Sequence, residues 1–432
     1  MNVSVDEQTQ RETSIAPAAR AVKVVQINSG DLMGRRFNGY DLKGPLEQYG
    51  VESELLVYWN KKSTAPFVSR AFSYPGSRYV TRALDIVERQ FSLHARLHPH
   101  SWTLPMHKAV RAADLMHLHI IHDGYFSLSA LPYVTSKKPT VWTWHDPWPM
   151  TGHCIYPLEC RRWQVGCGSC PDLTLPFPMK ADRTAEQFAW KQKIYSRTKA
   201  EIIVASRWML EMAERSPLAE GFNFSLIPFG LDLTVFKPGD KQAARTRLGV
   251  LPGLPVVLIR ALATPFKGLP EFIKALQSLS PDRKICILVV QEKGHFEKLR
   301  GRHQILEFGW TDNESLLLDL YAACDFLAMP SKAEAFGLMA IEAMACGRPV
   351  LSSEGTALPG VTFAPDAGLA VQANDVRALA NGIDHLISNP DECDARGRLS
   401  RTLAQQHYDI ERQAQLTAEL YRRVLGRTDG LS

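Results

Sequence analysis

The sequence predicts an α/β protein built from two Rossmann-like domains that face each other across a cleft. Three observations carry that prediction. Short apolar runs alternate with helical or irregular stretches from residue 22 onward, the pattern of strand–helix–strand units in a parallel sheet. The alternation lapses in a polar, Gly- and Pro-rich stretch from Pro238 to Pro255 and then restarts, as a linker between domains would read. A chain of 432 residues also exceeds what one ordinary core organises.

Taken in order, residues 1–20 are polar, lack the apolar core of a secretory signal and read as a disordered leader on a cytoplasmic chain. Val22 to Asn28 is the first strand, followed by a loop with Gly30, Gly34 and Gly39 and a helical pattern through Leu42, Leu46 and Tyr49. Gly50 stops that helix and VESELLVYW is the second strand. Further strands are predicted at Leu115 to Ile120, Thr140 to Trp144, Ile202 to Ala205 and Ser225 to Pro228. After the linker, which holds one short helix, strands fit PVVLIRAL, KICILVV, ILEFGW, DFLAMP and PVLSS. An amphipathic run, DIERQAQLTAELYRRVL, closes the chain and can pack back across either domain. The expected boundaries are 21–235 for the first domain, with a Cys-rich insertion at 145–175, 236–405 for the second, and 406–432 for the last helix.

With 45% hydrophobic and 22% charged residues, and no apolar stretch near the roughly 18 residues of a membrane span, the composition is that of a globular, non-spanning protein. The net charge of +5 is concentrated. Between Lys61 and Ile120, nine basic residues (Lys61, Lys62, Arg70, Arg78, Arg82, Arg89, Arg96, Lys108, Arg111) face three acids (Asp85, Glu88, Asp114). His94, His98, His100, His107, His117 and His119 lie there too, with Phe72, Tyr79, Phe91 and Trp102 interleaved. Two readings stay open: a surface that meets anionic lipid headgroups, or a solvated basic face. No nucleic-acid-binding module accompanies the charge.

The most informative segment is DFLAMPSKAEAFGLMAIEAMACGRPVLSS. Phe326 to Met329 reads as a buried strand, Pro330 to Phe336 as a loop, and Gly337 to Cys346 as a helix capped by Gly347. The loop therefore sits at the carboxyl end of a parallel strand, where open α/β sheets bind ligands. The amides of Phe336, Gly337 and Leu338 at the helix mouth suit a phosphate. Glu334 precedes the helix and Glu342 follows eight residues later, so two acids flank an anion site. They fit the hydroxyls of a sugar and a ribose better than the anion itself, although two glutamates alone could be a solvated loop acid and a salt-bridged helix residue.

This segment resembles the E-x7-E region of the family 4 retaining glycosyltransferases, which have the GT-B fold; PS, E, FG, EAMA, G and PV all stand at the family spacing. IPFGLDLTVFKP and IIVASRWM resemble the segments around the family's domain junction, and the likeness covers most of residues 22 to 425. The resemblance implies a nucleotide-sugar donor held by the second domain and a glycan or lipid-linked acceptor on the first. It implies Glu334 on the donor sugar, Glu342 on the ribose, and the Phe336–Leu338 amides on the diphosphate or sugar. LIRALATPFKGLPEFIKAL resembles the block that supplies cations to the diphosphate, with Lys267 in place and Arg260 seven residues before it, one more than the family's arginine. His145, in TVWTWHDPWPMTG, matches a strand-end histidine that reaches the donor, and Gly34 falls in the loop where backbone amides approach the phosphates, without the usual paired glycines.

Cys154, Cys160, Cys167 and Cys170 lie within seventeen residues, a run that looks like that of a subgroup associated with bacterial exopolysaccharide and capsule assembly. Structural zinc, free packed thiols and disulfides are the open readings, the first favoured by the two-residue spacing of Cys167 and Cys170. Catalysis is expected to need no cofactor, transfer proceeding by a front-face route in which Lys267, the helix amides and His145 stabilise the leaving group. Two alternatives share the fold: a nucleotide-sugar 2-epimerase and a catalytically silent assembly subunit.

Overall fold

The computed structural model describes residues 20–71 and 77–426, so the expected leader lies outside the described residues except for Arg20. Two parallel sheets organise the chain. The first is formed by β1 (Val22–Gly30), β2 (Val51–Asn60), β3 (Val68–Arg70), β4 (Leu115–Leu118), β5 (Thr140–Trp144), β6 (Glu201–Val204) and β7 (Asn223–Leu226), in the order β3-β2-β1-β4-β5-β6-β7. The second is formed by β8 (Val256–Ala261), β9 (Cys286–Gln291), β10 (Gln304–Gly309), β11 (Phe326–Met329), β12 (Val350–Ser353) and β13 (Leu369–Val371), in the order β10-β9-β8-β11-β12-β13. Every strand pair is parallel, with β1 beside both β2 and β4 and β8 beside both β9 and β11. Strand order reverses direction at β1/β4 and at β8/β11, and those are the points at which a doubly wound sheet opens a crevice.

Both sheets are buried on two faces, so their strands read as continuous apolar runs. β3 and β13 were not anticipated; each is a three-residue edge strand too short to show a period. The expectation that the histidines of the basic stretch line a surface is corrected for three of them. His98, His117 and His119 are buried, the last two at and just beyond β4, a strand with no solvent face.

The last helix, Ile410–Val424, packs on the first sheet. Ala414, Ala418, Leu420 and Tyr421 join Val22, Val24, Leu46, Leu115, Val141 and Ile203 in one buried cluster. The chain thus passes between the two sheets twice. The two passages lie side by side: the Leu231 amide donates to the Tyr408 carbonyl (2.8 Å) and the Ile410 amide to the Leu231 carbonyl (3.0 Å). No helix among the described residues is long and apolar enough to cross a membrane.

Candidate active site

A cavity of about 300 Å³ lies between the two sheets. From the second half it is lined by Arg260, Lys267, Glu334, Phe336, Gly337 and Leu338, and from the first by Phe37, His145, Asp146, Tyr156 and Phe229. The helix Leu338–Ala345 begins at its wall. Gly337 precedes that helix with φ +99°, and a Cβ there would meet Leu358 Cδ2 at 2.5 Å, so the turn that aims the first amides into the cavity requires glycine.

Lys267 and Glu334 meet across this space, Nζ to Oε2 at 2.6 Å, both largely shielded from solvent. Their loops are tied together, because the Lys332 amide donates to the Phe266 carbonyl at 2.7 Å. Arg260, at the end of β8, extends over Gln291 (3.4 Å) on the same wall.

His145 follows β5 and is clasped by rings. Phe229 stacks on it at 5.6 Å and 9°, and Phe37 tilts against it at 5.2 Å. Its Nε2 shares a hydrogen bond with His119 Nδ1 (3.0 Å), and His119 Nε2 in turn reaches Gln26 Oε1 (2.7 Å), so β1 and the residues that follow β4 and β5 each supply one member of a chain. Burial pushes the His145 imidazole down to about 3, with Asp146 pulling the other way and His122 adding to the fall. His119 is likewise held well below the usual range by burial, with His117 and His145 beside it. At neutral pH His145 is an uncharged hydrogen-bonding group. Burial alone would raise the Asp146 carboxyl, but His122 at 3.1 Å and the Trp148 amide at 2.8 Å outweigh it and hold the group ionised.

Glu342 lies one turn into the helix and is 2% exposed. Both its oxygens are occupied. The Tyr321 hydroxyl donates to Oε2 at 2.6 Å, and Arg36 of the first half pairs with Oε1. Burial raises the Glu342 carboxyl, with Arg36 and Tyr321 opposing. Glu342 is not itself on the cavity wall, because Arg36 covers it.

Gly34 does not line the cavity either. Its φ of +78° turns the β1 loop so that the Phe37 and Asn38 amides both bond its carbonyl (2.9 and 3.1 Å), and this turn carries Arg36 and Phe37 to the cleft. Arg36, Phe37, Tyr156, Phe229 and Tyr321 were missed from the sequence. The paired arginines after a strand were the one available signal.

The four cysteines line a common small apolar pocket with His153, Trp163 and Pro171. Burial pushes Cys154 up to about 12 and Cys167 to about 11. Among the described residues no group of three His, Cys, Asp or Glu side chains is arranged to hold a metal ion, and Cys154, Cys160, Cys167 and Cys170 form no disulfide. They are free thiols packed in a loop whose Tyr156 rests against Phe266, 5.4 Å between ring centroids, next to Lys267.

Two parallel-sheet halves, a cavity between them and a helix mouth on its wall define a GT-B glycosyltransferase fold. Sucrose-phosphate synthase from Thermosynechococcus elongatus superposes with a TM-score of 0.64 at 19% identity, over 94% of this chain and 100% of that one. Anabaena HepE, solved in complex with UDP-glucose, gives 0.60 at 17%, over 93% and 99%. The D-inositol 3-phosphate glycosyltransferase of Nocardia farcinica is 31% identical over 385 residues, 85% of this chain and 80% of the relative. The chain belongs to the group 1 glycosyl transferases, whose family model matches residues 240–402.

Proposed function

We propose that the protein transfers a sugar, with retention of anomeric configuration, from a nucleotide-sugar donor bound mainly by residues 236–405 to a glycan or lipid-linked saccharide held by residues 21–235. The observation that carries this reading is the convergence of Lys267, Arg260, His145 and Glu334 on the cavity at the N-terminus of the helix Leu338–Ala345. The diphosphate sits at the Phe336–Leu338 amides, where the helix dipole and the two cations offset its charge. Glu334 Oε1, left open by the Lys267 pair, accepts a hydroxyl of the transferred sugar.

As the glycosidic bond breaks, negative charge grows on the leaving phosphate and Lys267 neutralises it. Among the described residues the second carboxylate lining the cavity is Asp146, and His122 engages it, so neither wall offers the free acid a nucleophile would be. The acceptor hydroxyl therefore attacks from the leaving-group side and gives its proton to the departing phosphate oxygen. His145, neutral and clamped between rings, holds a donor hydroxyl or phosphate oxygen by hydrogen bonding.

The acceptor is a surface-polysaccharide precursor presented at the cytoplasmic face of a membrane. This is supported by exposed Tyr79, Ile86, Phe91, Trp102 and Met106 among exposed Arg82, Arg89, Lys108 and Arg111 on the first half. A thermal-shift panel of nucleotide sugars tests the donor, since a ligand at 100 times its Kd adds about 2.7 kcal/mol. Failure of every donor to shift the transition overturns the reading. Donor incubated without acceptor separates it from the 2-epimerase, which would release an epimerised sugar.

A further inference from the structure

Among the described residues the Arg36–Glu342 pair is the one place where a charged side chain of the first half plugs a buried acid of the second, 306 residues away in sequence. Its neighbour behaves differently: Arg35 turns outward, 54% exposed, onto Asp41 at 2.6 Å. Arg36 turns inward with its guanidinium 4.8 Å from the Phe236 ring centroid, and its side chain keeps 25% of its exposure. The loop that carries it is braced by Asn38, whose Nδ2 donates to the Asp31 carbonyl at 2.8 Å. The side chain is thus long and partly exposed on a fixed stem.

Glu342 has no such freedom. It is buried, its second oxygen is held by Tyr321, and Tyr321 is fully buried itself. Tyr321 closes the buried side of this carboxylate and the partly exposed Arg36 covers the other, so a ribose diol that donates to Oε1 displaces Arg36. A displaced guanidinium, still partly shielded by the cleft, pairs with the next anion within its reach. With Glu334 held by Lys267, that anion is the donor diphosphate, about one helical turn (~5.4 Å) toward the helix mouth.

Resting on the donor reading above, the geometry points to Arg36 as a donor-binding residue with two stations. In the empty cleft it occupies Glu342. When the nucleotide enters, the ribose takes the carboxylate and Arg36 moves to the diphosphate. The same step that admits the ribose supplies a cation from the first half to the phosphate, so nucleotide entry draws the two halves together.

The two stations make opposite demands on two ligands, and that split is the test. UDP, GDP and ADP are titrated calorimetrically into wild type, and the tightest is compared with its own nucleoside, followed by NMR, in wild type, Arg36→Met, Arg36→Lys and the control Arg35→Met. The expected result is a loss of about 10- to 100-fold in nucleoside diphosphate affinity for Arg36→Met, the size of a lost charged hydrogen bond. Nucleoside affinity should hold or improve, since Glu342 is then open. Arg36→Lys should recover part of the diphosphate affinity, and Arg35→Met should match wild type. Equal weakening of diphosphate and nucleoside marks a merely structural pair and overturns the proposal, as does no change in either. Should wild type bind none of the three diphosphates, the donor reading itself fails, a result distinct from the loss of the split.

Discussion

The two walls of the cleft are built in different ways. The second-half wall comes from short contiguous blocks: Lys267 with its loop, and Glu334 to Leu338 running into a helix, tied by the Lys332–Phe266 backbone bond. The first-half wall gathers Arg36, Phe37, His145, Tyr156 and Phe229 from distant places in the chain, held by ring stacking and by the Gln26–His119–His145 chain. The lesson is that the charged groups of the second wall are positioned by local backbone geometry, whereas the surface facing them is positioned by tertiary packing. Damage to the first wall should therefore grade with packing, and damage to the second should be abrupt.

The strongest way to break this contrast is Lys267→Met or Glu334→Gln. Each should lower kcat by about 10²–10³-fold with little change in Tm, the scale of one lost transition-state charge contact; steady-state kinetics beside calorimetry will show it. A comparable loss from Phe229→Leu would erase the distinction between the walls. Next comes Gly337→Ala, which places a Cβ against Leu358 and a non-glycine at φ +99°. It should cost about 1–3 kcal/mol by chemical denaturation and weaken nucleotide binding.

Acid sharpens the first-wall side. His94, His117, His119 and His145 are all pushed down in the folded protein by burial, the second and fourth to about 3, against an ordinary value near 6.5. Between those values the unfolded chain binds more protons than the folded one. Stability is thus full above about pH 6.5 and falls on acidification toward 3, by up to roughly 1.4 kcal/mol per pH unit for each histidine. Denaturation midpoints from pH 7.5 to 4.5 measure the slope, and kcat/KM should show no His145 titration near 6.5. The smallest effect concerns the cysteine loop: with packed thiols, chelator treatment should leave Tm within about 1 °C, and a drop of several degrees would restore a bound metal.

The sheets were largely legible because strands buried on both faces are continuous apolar runs; β1, β5, β8 and β9 were placed within a residue or two. Edge strands β3 and β13 carry too few residues to show. The helix at Leu338 was legible through its Gly-bounded apolar period, and so was the loop before it. Partners across the cleft were not. Nothing in the spacing of Arg35 and Arg36 says which one turns inward, and Glu342 gives no sign that Tyr321 and Arg36 already fill its oxygens. Gly34 illustrates the reverse: the glycine that the resemblance sets in a phosphate-facing loop shapes a turn and stands away from the cavity wall. Local pattern reports backbone geometry, and long-range pairing has no local pattern.

The homecoming of the C-terminal helix bears on how the protein is made. One face of the first sheet, with Val22, Leu46, Leu115 and Val141, waits for Ala414, Ala418 and Tyr421. During synthesis that face stays uncovered until residues 410–424 have left the ribosome, after every strand of the second sheet, though domains ordinarily mature from the N-terminus onward. The half translated first is completed only after the strands of the second have been made.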